Sequence, residues 1–173
     1  ITETTAEKIY DSGEHGVWLK DVQIDDEGNP CVLFLDADID TYASTWKMAR
    51  GTNTGWAFSD ITKSDHMYDD GAIVLLSRDD FRVYGPSTAS QVKVDGGEIE
   101  EWTSTDQGRT WRNTAHITSG STYAHNHVKT VMNHEQGDGM FRAFWSYGDA
   151  QSPPGTRVVS MHCYGEAQTR AQV

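Results

Sequence analysis

The sequence predicts an all-β chain of three repeated units, each of about four short strands. Three observations carry that expectation. Glycine, Asn and Asp turns punctuate all 173 residues, the runs between them are rich in Val, Ile, Tyr, Phe and Trp, and no long stretch keeps a helical apolar period. In the first unit 17–24 reads as a strand, Asp25-Asp26-Glu27-Gly28-Asn29-Pro30 as a turn and 31–35 as the second strand, because turn formers cluster between two β-rich runs. Segments 45–50 and 55–61 complete the unit as an outer hairpin. The second unit offers strands at 71–76, 81–84 and 99–104, then a turn leading through Trp111 to Ile117. The third offers 128–132, a turn through Glu135-Gln136-Gly137-Asp138-Gly139, then 141–147 and 157–161.

A histidine stands before the first strand of each unit: His15, His66, and His125 with His127. The steps from 15 to 66 to 125 are 51 and 59 residues, the size of a structural repeat. The units run over about 12–62, 63–118 and 122–173 of a single domain, 1–173. Lys8-Ile9-Tyr10 reads as the last strand of a preceding unit.

The octapeptide Ser104-Thr105-Asp106-Gln107-Gly108-Arg109-Thr110-Trp111 has the pattern S-x-D-x-G-x-T-W. Its chemistry is that of a pinned turn: the Asp carboxylate accepts backbone N–H groups two residues on, Gly108 permits a positive φ, and Trp111 packs under the hairpin. The segment resembles the Asp-box of the bacterial neuraminidase repeat, which sits on the outer hairpin of β-propeller blades in sialidases, many polysaccharide-active enzymes and some binding proteins. Ser104, Asp106, Gly108 and Trp111 are then structural. Gly55-Trp56 followed by Ser59-Asp60-Ile61-Thr62 holds the same place in the first unit and reads as a degenerate copy. A closed propeller holds about four to eight blades. Three blades of what the resemblance implies is a seven-bladed ring are therefore incomplete alone. The complement is expected in another polypeptide, such as the other half of a nicked enzyme, or in a symmetric second copy.

Charge narrows the partners. With 14 Lys and Arg against 26 Asp and Glu, the formal charge is −12, and no basic stripe marks a nucleic-acid binder. No apolar run approaches the roughly 18 residues of a membrane span. Ile1-Thr2-Glu3-Thr4-Thr5 is polar and carries no signal-peptide pattern; Ile1 without a Met suggests a processed or excised chain, which leaves open the expected secreted or periplasmic location. Cys31 and Cys163 allow one internal disulfide, while each also fits as a small buried hydrophobe.

The loop before each first strand falls at one rim of a blade, so His15, His66, His125 and His127 share that rim while His134 belongs to the opposite one. Two jobs suit convergent imidazoles: proton transfer near neutral pH, and binding of zinc or a similar metal. In His125-Asn126-His127, strand alternation sends both rings to one side, as in half of a metal site. Hydrogen-bonded structural roles compete with both jobs. Lys20, Arg82, Lys129 and Arg142 are cations near the same strands, and Tyr68, Tyr84, Tyr123 and Tyr147 are available for stacking on sugars or for proton donation. Asp36-Ala37-Asp38-Ile39-Asp40 alternates carboxylates in the manner of a calcium loop but lacks the glycine and terminal Glu of an EF-hand, so it reads as a solvated loop.

Residues 16–25 with Gly28-Asn29-Pro30, then Ser64-Asp65-His66-Met67-Tyr68-Asp69-Asp70-Gly71, then Glu101-Trp102-Thr103-Ser104, are similar to the later blades of secreted neuraminidase-repeat propellers, in particular polysaccharide lyases acting on ulvan and other rhamnose–glucuronate chains. The resemblance implies β-elimination beside a uronic acid in an anionic polysaccharide. That reaction needs a base for the C5 proton, an acid for the leaving oxygen and a cation for the carboxylate. Here His125, His127 and His66 are the candidate catalytic residues, His125 and His127 the candidate ligands of a channel zinc or calcium, and Arg82, Lys129, Tyr68 and Tyr123 the candidate substrate contacts. In the family the catalytic His, Tyr and Arg come largely from earlier blades. A sialidase-like hydrolase and a non-catalytic glycan-binding propeller are the competing readings; the Arg-Ile-Pro signature of sialidases is absent from this chain.

Overall fold

A computed structural model describes residues 6–87, 96–130, 142–148 and 159–165. Among them are eleven strands: β1 Gly16–Ile24, β2 Pro30–Ala37, β3 Ser44–Thr52, β4 Gly55–Ser64, β5 Ala72–Ser77, β6 Asp80–Pro86, β7 Ile99–Ser104, β8 Arg112–His116, β9 Ala124–Lys129, β10 Ala143–Gly148 and β11 Val159–Tyr164. They form three antiparallel sheets, ordered β1-β2-β3-β4, β5-β6-β7-β8 and β11-β10-β9. The third has three strands among the described residues.

The turns follow from side-chain chemistry. Between β1 and β2, Asp25 Oδ1 accepts the backbone N–H groups of Glu27 at 2.9 Å and Asn29 at 2.8 Å, while Arg50 Nε donates to Asp25 Oδ2 at 2.7 Å. Apolar residues on the facing surfaces then join the sheets. Leu33, Leu35, Trp46 and Met48 meet Ile73, Leu75, Phe81, Val83 and Trp102 between the first two sheets. Ala72, Tyr84, Ile99, Val128, Ala143 and Trp145 form the second core. Gly71 has no room for a side chain, since a Cβ would lie 2.7 Å from the Trp46 ring and 2.9 Å from the Tyr84 carbonyl oxygen.

The first strands of the three sheets lie side by side. Ile73 N donates to Asp21 Oδ2 at 2.8 Å, and Asp70 N donates to Asn126 Oδ1 at 2.9 Å. The outward face of the first sheet differs from its counterpart in the second. Val17 and Leu19 pair with Asp36 and Phe34 as Ile73 and Leu75 pair with Val83 and Phe81. Yet Ile73 and Leu75 are buried, whereas Val17, Leu19, Val22 and Ile24 are 47%, 65%, 46% and 62% exposed. Over part of that face lies Tyr10, its ring 4.9 Å from Phe34 and 5.5 Å from Phe58.

Several expectations are corrected here. Residues 8–10 form no strand, because Tyr10 is used as a lid over the first sheet. β9 begins at Ala124, so His125 and His127 lie within the strand and not before it. Between β3 and β4 runs a tight Asn53-Thr54 turn, where Thr52 Oγ1 donates to the Gly55 carbonyl at 2.9 Å in place of a carboxylate hub. Both cysteines are free, Cys31 buried and Cys163 exposed; burial pushes the Cys31 thiol up to about 12. The expected turn at 135–139, His134 and residues 131, 132, 141, 157 and 158 lie outside the described residues.

Candidate functional site

Antiparallel pairing puts two sets of loops at opposite rims. At one rim stand the 25–29 turn and the 105–111 turn. Ser104 Oγ and the N–H of Arg109 and Thr110 donate to Asp106 Oδ1 at 2.7, 3.1 and 2.9 Å, and Thr110 Oγ1 donates to Asp106 Oδ2 at 2.7 Å. Its backbone donors thus lie three and four residues on, one and two residues further than expected. These donors, Thr110 first, hold the Asp106 carboxyl down at about 2. Gly108 takes φ 80. Trp111 Nε1 donates to Ser59 Oγ at 3.0 Å, and Ser59 Oγ donates to the Gly108 carbonyl at 2.5 Å, so the turn grips the outer hairpin of the neighbouring sheet.

The opposite rim carries His15, Tyr42, the loop 65–71 and the start of β9. Loop 65–71 leads from β4 into β5 and is tied to all three sheets. Lys20 Nζ of β1 donates to the Met67 carbonyl at 2.9 Å, Asn126 Nδ2 of β9 to the Tyr68 carbonyl at 3.3 Å, and Lys129 Nζ to Asp70 Oδ2 at 2.7 Å. At its centre the fully buried Asp69 accepts from Ser64 Oγ and, at 2.6 Å, from Gly96 N. Burial pushes its carboxyl up to about 7, against the lowering effect of those two donors. Burial also lowers the Lys20 ammonium, against the raising pull of Asp70 and Asp69. His66 is 7% exposed; its Nδ1 accepts Tyr68 N at 3.1 Å, which puts the proton of the neutral ring on Nε2.

Beside this loop opens a cleft of about 520 Å³, lined in part by His15, Asp36, Asp38, Lys47, Asp60 and Lys63. Its polar groups hold one another: His15 Nδ1 lies 2.7 Å from Asp36, Lys47 2.5 Å from Asp60, and Lys63 Nζ donates to Thr45 Oγ1 at 2.6 Å. Tyr10 also donates to Asp36, and burial with that hydrogen bond pushes its phenol up to about 12. Within the acidic run Asp38 is a turn hub, accepting Asp40 N at 2.9 Å and Thr41 N at 3.2 Å.

The sequence candidates separate into two places. His66, Tyr68 and Lys129 gather around loop 65–71. His125 and Tyr123 belong instead to an aromatic cluster on the third sheet, where His125 stacks on Tyr147 at 4.6 Å and Tyr123 approaches Tyr147 at 5.8 Å. Trp145 Nε1 can only donate, so His125 Nδ1 accepts it at 2.9 Å, and the proton on Nε2 faces Ser121 Oγ at 2.9 Å. Burial lowers the His125 imidazole and keeps it neutral at neutral pH. With both nitrogens engaged and 4% exposure, His125 is a core group.

His127 does not join it. At φ 57 the chain leaves the extended conformation, strand alternation fails, and the exposed His127 ring meets Ser146 Oγ at 2.9 Å. The expectation that strand alternation sends both rings to one side is thereby corrected; among the described residues no group of three or more His, Cys, Asp or Glu side chains is arranged to hold a metal. Arg82 stands apart from both places. It lies toward the opposite rim, 3.1 Å from Asp80 and 3.5 Å from Glu101, where Tyr84 also donates to Glu101 at 2.6 Å. Tyr42, Asp69 and Asn126 were not among the candidates. Only the tight D-x-D pattern upstream of Tyr42 hinted at any of them.

The three sheets, with their first strands gathered side by side, are blades of an incomplete β-propeller. The chain is similar to an ulvan lyase of a new family of polysaccharide lyase, with a TM-score of 0.68 at 10% identity over 88% of this chain and 33% of that one. The same lyase bound to -[GlcA(1-4)Rha3S]- gives the same values. The α-L-arabinofuranosidase of Fusarium graminearum in complex with arabinobiose is similar at a TM-score of 0.50 and 11% identity, over 86% of this chain and 44% of that one. This chain spans 33% of the length of the lyase it matches. No family model and no curated protein matches the sequence.

Proposed function

We propose that this chain is part of a secreted, propeller-type polysaccharide lyase that cleaves an anionic glycan beside a uronic acid by β-elimination. The observation that carries the reading is the likeness of 88% of the chain to a lyase, solved also with a glucuronate-containing oligosaccharide. The histidine rim supports it by presenting exposed aromatic rings to a glycan, Tyr42 and Tyr68, on braced loops. The cations among the candidate substrate contacts are already matched: Lys129 pairs with Asp70, and Arg82 with Asp80 and Glu101. The uronate-neutralising cation and the proton-transfer pair therefore come from blades beyond these three, supplied by the rest of the polypeptide, a complementary fragment or a second copy. This chain positions the glycan.

The test is incubation of the full polypeptide carrying these residues with uronate polysaccharides, followed by ultraviolet absorbance. Elimination leaves an unsaturated uronate and absorbance rises; cleavage with new reducing ends and no rise would overturn the lyase. The likeness to an arabinofuranosidase favours that hydrolase outcome as the second reading.

A further inference from the structure

Loop 65–71 and the turn 38–43 meet around an aromatic group at the histidine rim. Tyr42 is 49% exposed and has φ 63, a conformation costly for a bulky residue and kept only where its surroundings impose it. The imposition is visible. Besides the Asp38 carboxylate bonds, the Asp38 carbonyl accepts Tyr42 N at 2.8 Å and Asp38 N donates to the Ala43 carbonyl at 3.0 Å. The closed turn holds the Tyr42 ring nearly parallel to His66, with centroids 5.5 Å apart and planes at 19°. On the other side Tyr68, 55% exposed, lies 5.0 Å from His66 at 52°. Asn126 braces the Tyr68 backbone from the third sheet.

We infer that Tyr42 and Tyr68, held on either side of the buried His66 ring, form an aromatic subsite that stacks on the C–H face of one sugar ring. The inference rests on the proposal that this rim meets a glycan, and it adds which part of the sugar is recognised here. The ring face is selected by charge. Asp65, Asp69 and Asp70 outnumber Lys20, bonded to the Met67 carbonyl, and Lys129, paired with Asp70, so among the described residues the loop favours a ring face over a carboxylate. Two rigid phenols with polar tips offer what a sugar face needs: wide apolar contact at low entropic cost, and hydroxyls for its rim.

The test is calorimetric titration of the full polypeptide with an uncleavable thio-linked glucuronate–rhamnose tetrasaccharide. Tyr42→Ala and Tyr68→Ala each weaken binding about tenfold, equivalent to about 1.4 kcal/mol, while Tyr42→Phe and Tyr68→Phe stay within about twofold of the parent. On the polysaccharide the Ala variants raise KM and leave kcat unchanged, the mark of lost uniform binding. Ala variants that keep the parent's melting temperature and bind as tightly overturn the subsite and leave the glycan proposal standing. A parent that binds the tetrasaccharide, loses that binding in the Ala variants and forms no unsaturated product supports the subsite and overturns the lyase. A parent that does not bind overturns both.

Discussion

Asp106 and Asp69 organise turns at opposite rims of the same sheet, and their carboxyls are driven in opposite directions. Asp106 sits near solvent amid donors from Ser104, Arg109 and Thr110, which favour the anion and hold it at about 2. Asp69 is fully buried with two donors and no cation within bonding distance among its described contacts, and burial lifts it to about 7. A carboxylate surrounded by donors at the surface builds a permanent knot. One placed under a loop at the histidine rim carries a charge that depends on neutral-range pH. The rim that knots backbone has little left to offer a ligand, whereas the other presents side chains.

The largest expected effect is at the knotted rim. Arg50→Met leaves the buried Asp25 carboxylate without its cation and lowers unfolding free energy by about 3–5 kcal/mol, read by denaturant titration of the full polypeptide. A loss below about 1 kcal/mol would show that the 25–29 turn needs no countercharge. Next comes Asp69. Because its folded pKa lies above the usual 3.8, its contribution to stability is complete below about pH 4 and is lost as pH rises through about 7. Asp69→Asn removes that decline, on the order of a few kcal/mol by neutral pH, and leaves the variant more stable than the parent above it. Parallel stability curves for the two proteins across this range would break the contrast. The smallest effect is that of Asp106→Ala, about 1–2 kcal/mol, similar to loss of a capping side chain. The sign for Asp106 is opposite: its contribution is present above 3.8 and fades as pH falls toward about 2, so parent and variant converge only in strong acid.

Strand positions were legible wherever turn formers bounded a β-rich run. The expected 99–104 strand coincides with β7, and the two hairpins of the first sheet fall within a few residues of their places, because Asp25, Gly28 and Asn29 act locally. Side-chain direction was less legible. Alternation predicts that His125 and His127 point together, and a single left-handed residue cancels it, a choice set by the packing of β9 on β10. Arg82 read as a candidate substrate contact because sequence shows charge without its partners; Asp80 and Glu101 meet it only through strand pairing. Tyr42 and Asp69 depend on loops from different sheets arriving at one place, which no local pattern encodes.

The Ser59 hydroxyl, held at once by the Gly108 carbonyl and the Trp111 indole, has a consequence for the geometry of a closed ring. Each blade must be rotated from the last by the same angle, and errors in that angle accumulate from blade to blade until the last strand misses the first. A turn that hydrogen-bonds to the adjacent hairpin acts as a spacer far from the axis, where a small displacement corresponds to the smallest angular error. In a ring closed by further blades, the octapeptide is one such spacer, set between the first two sheets.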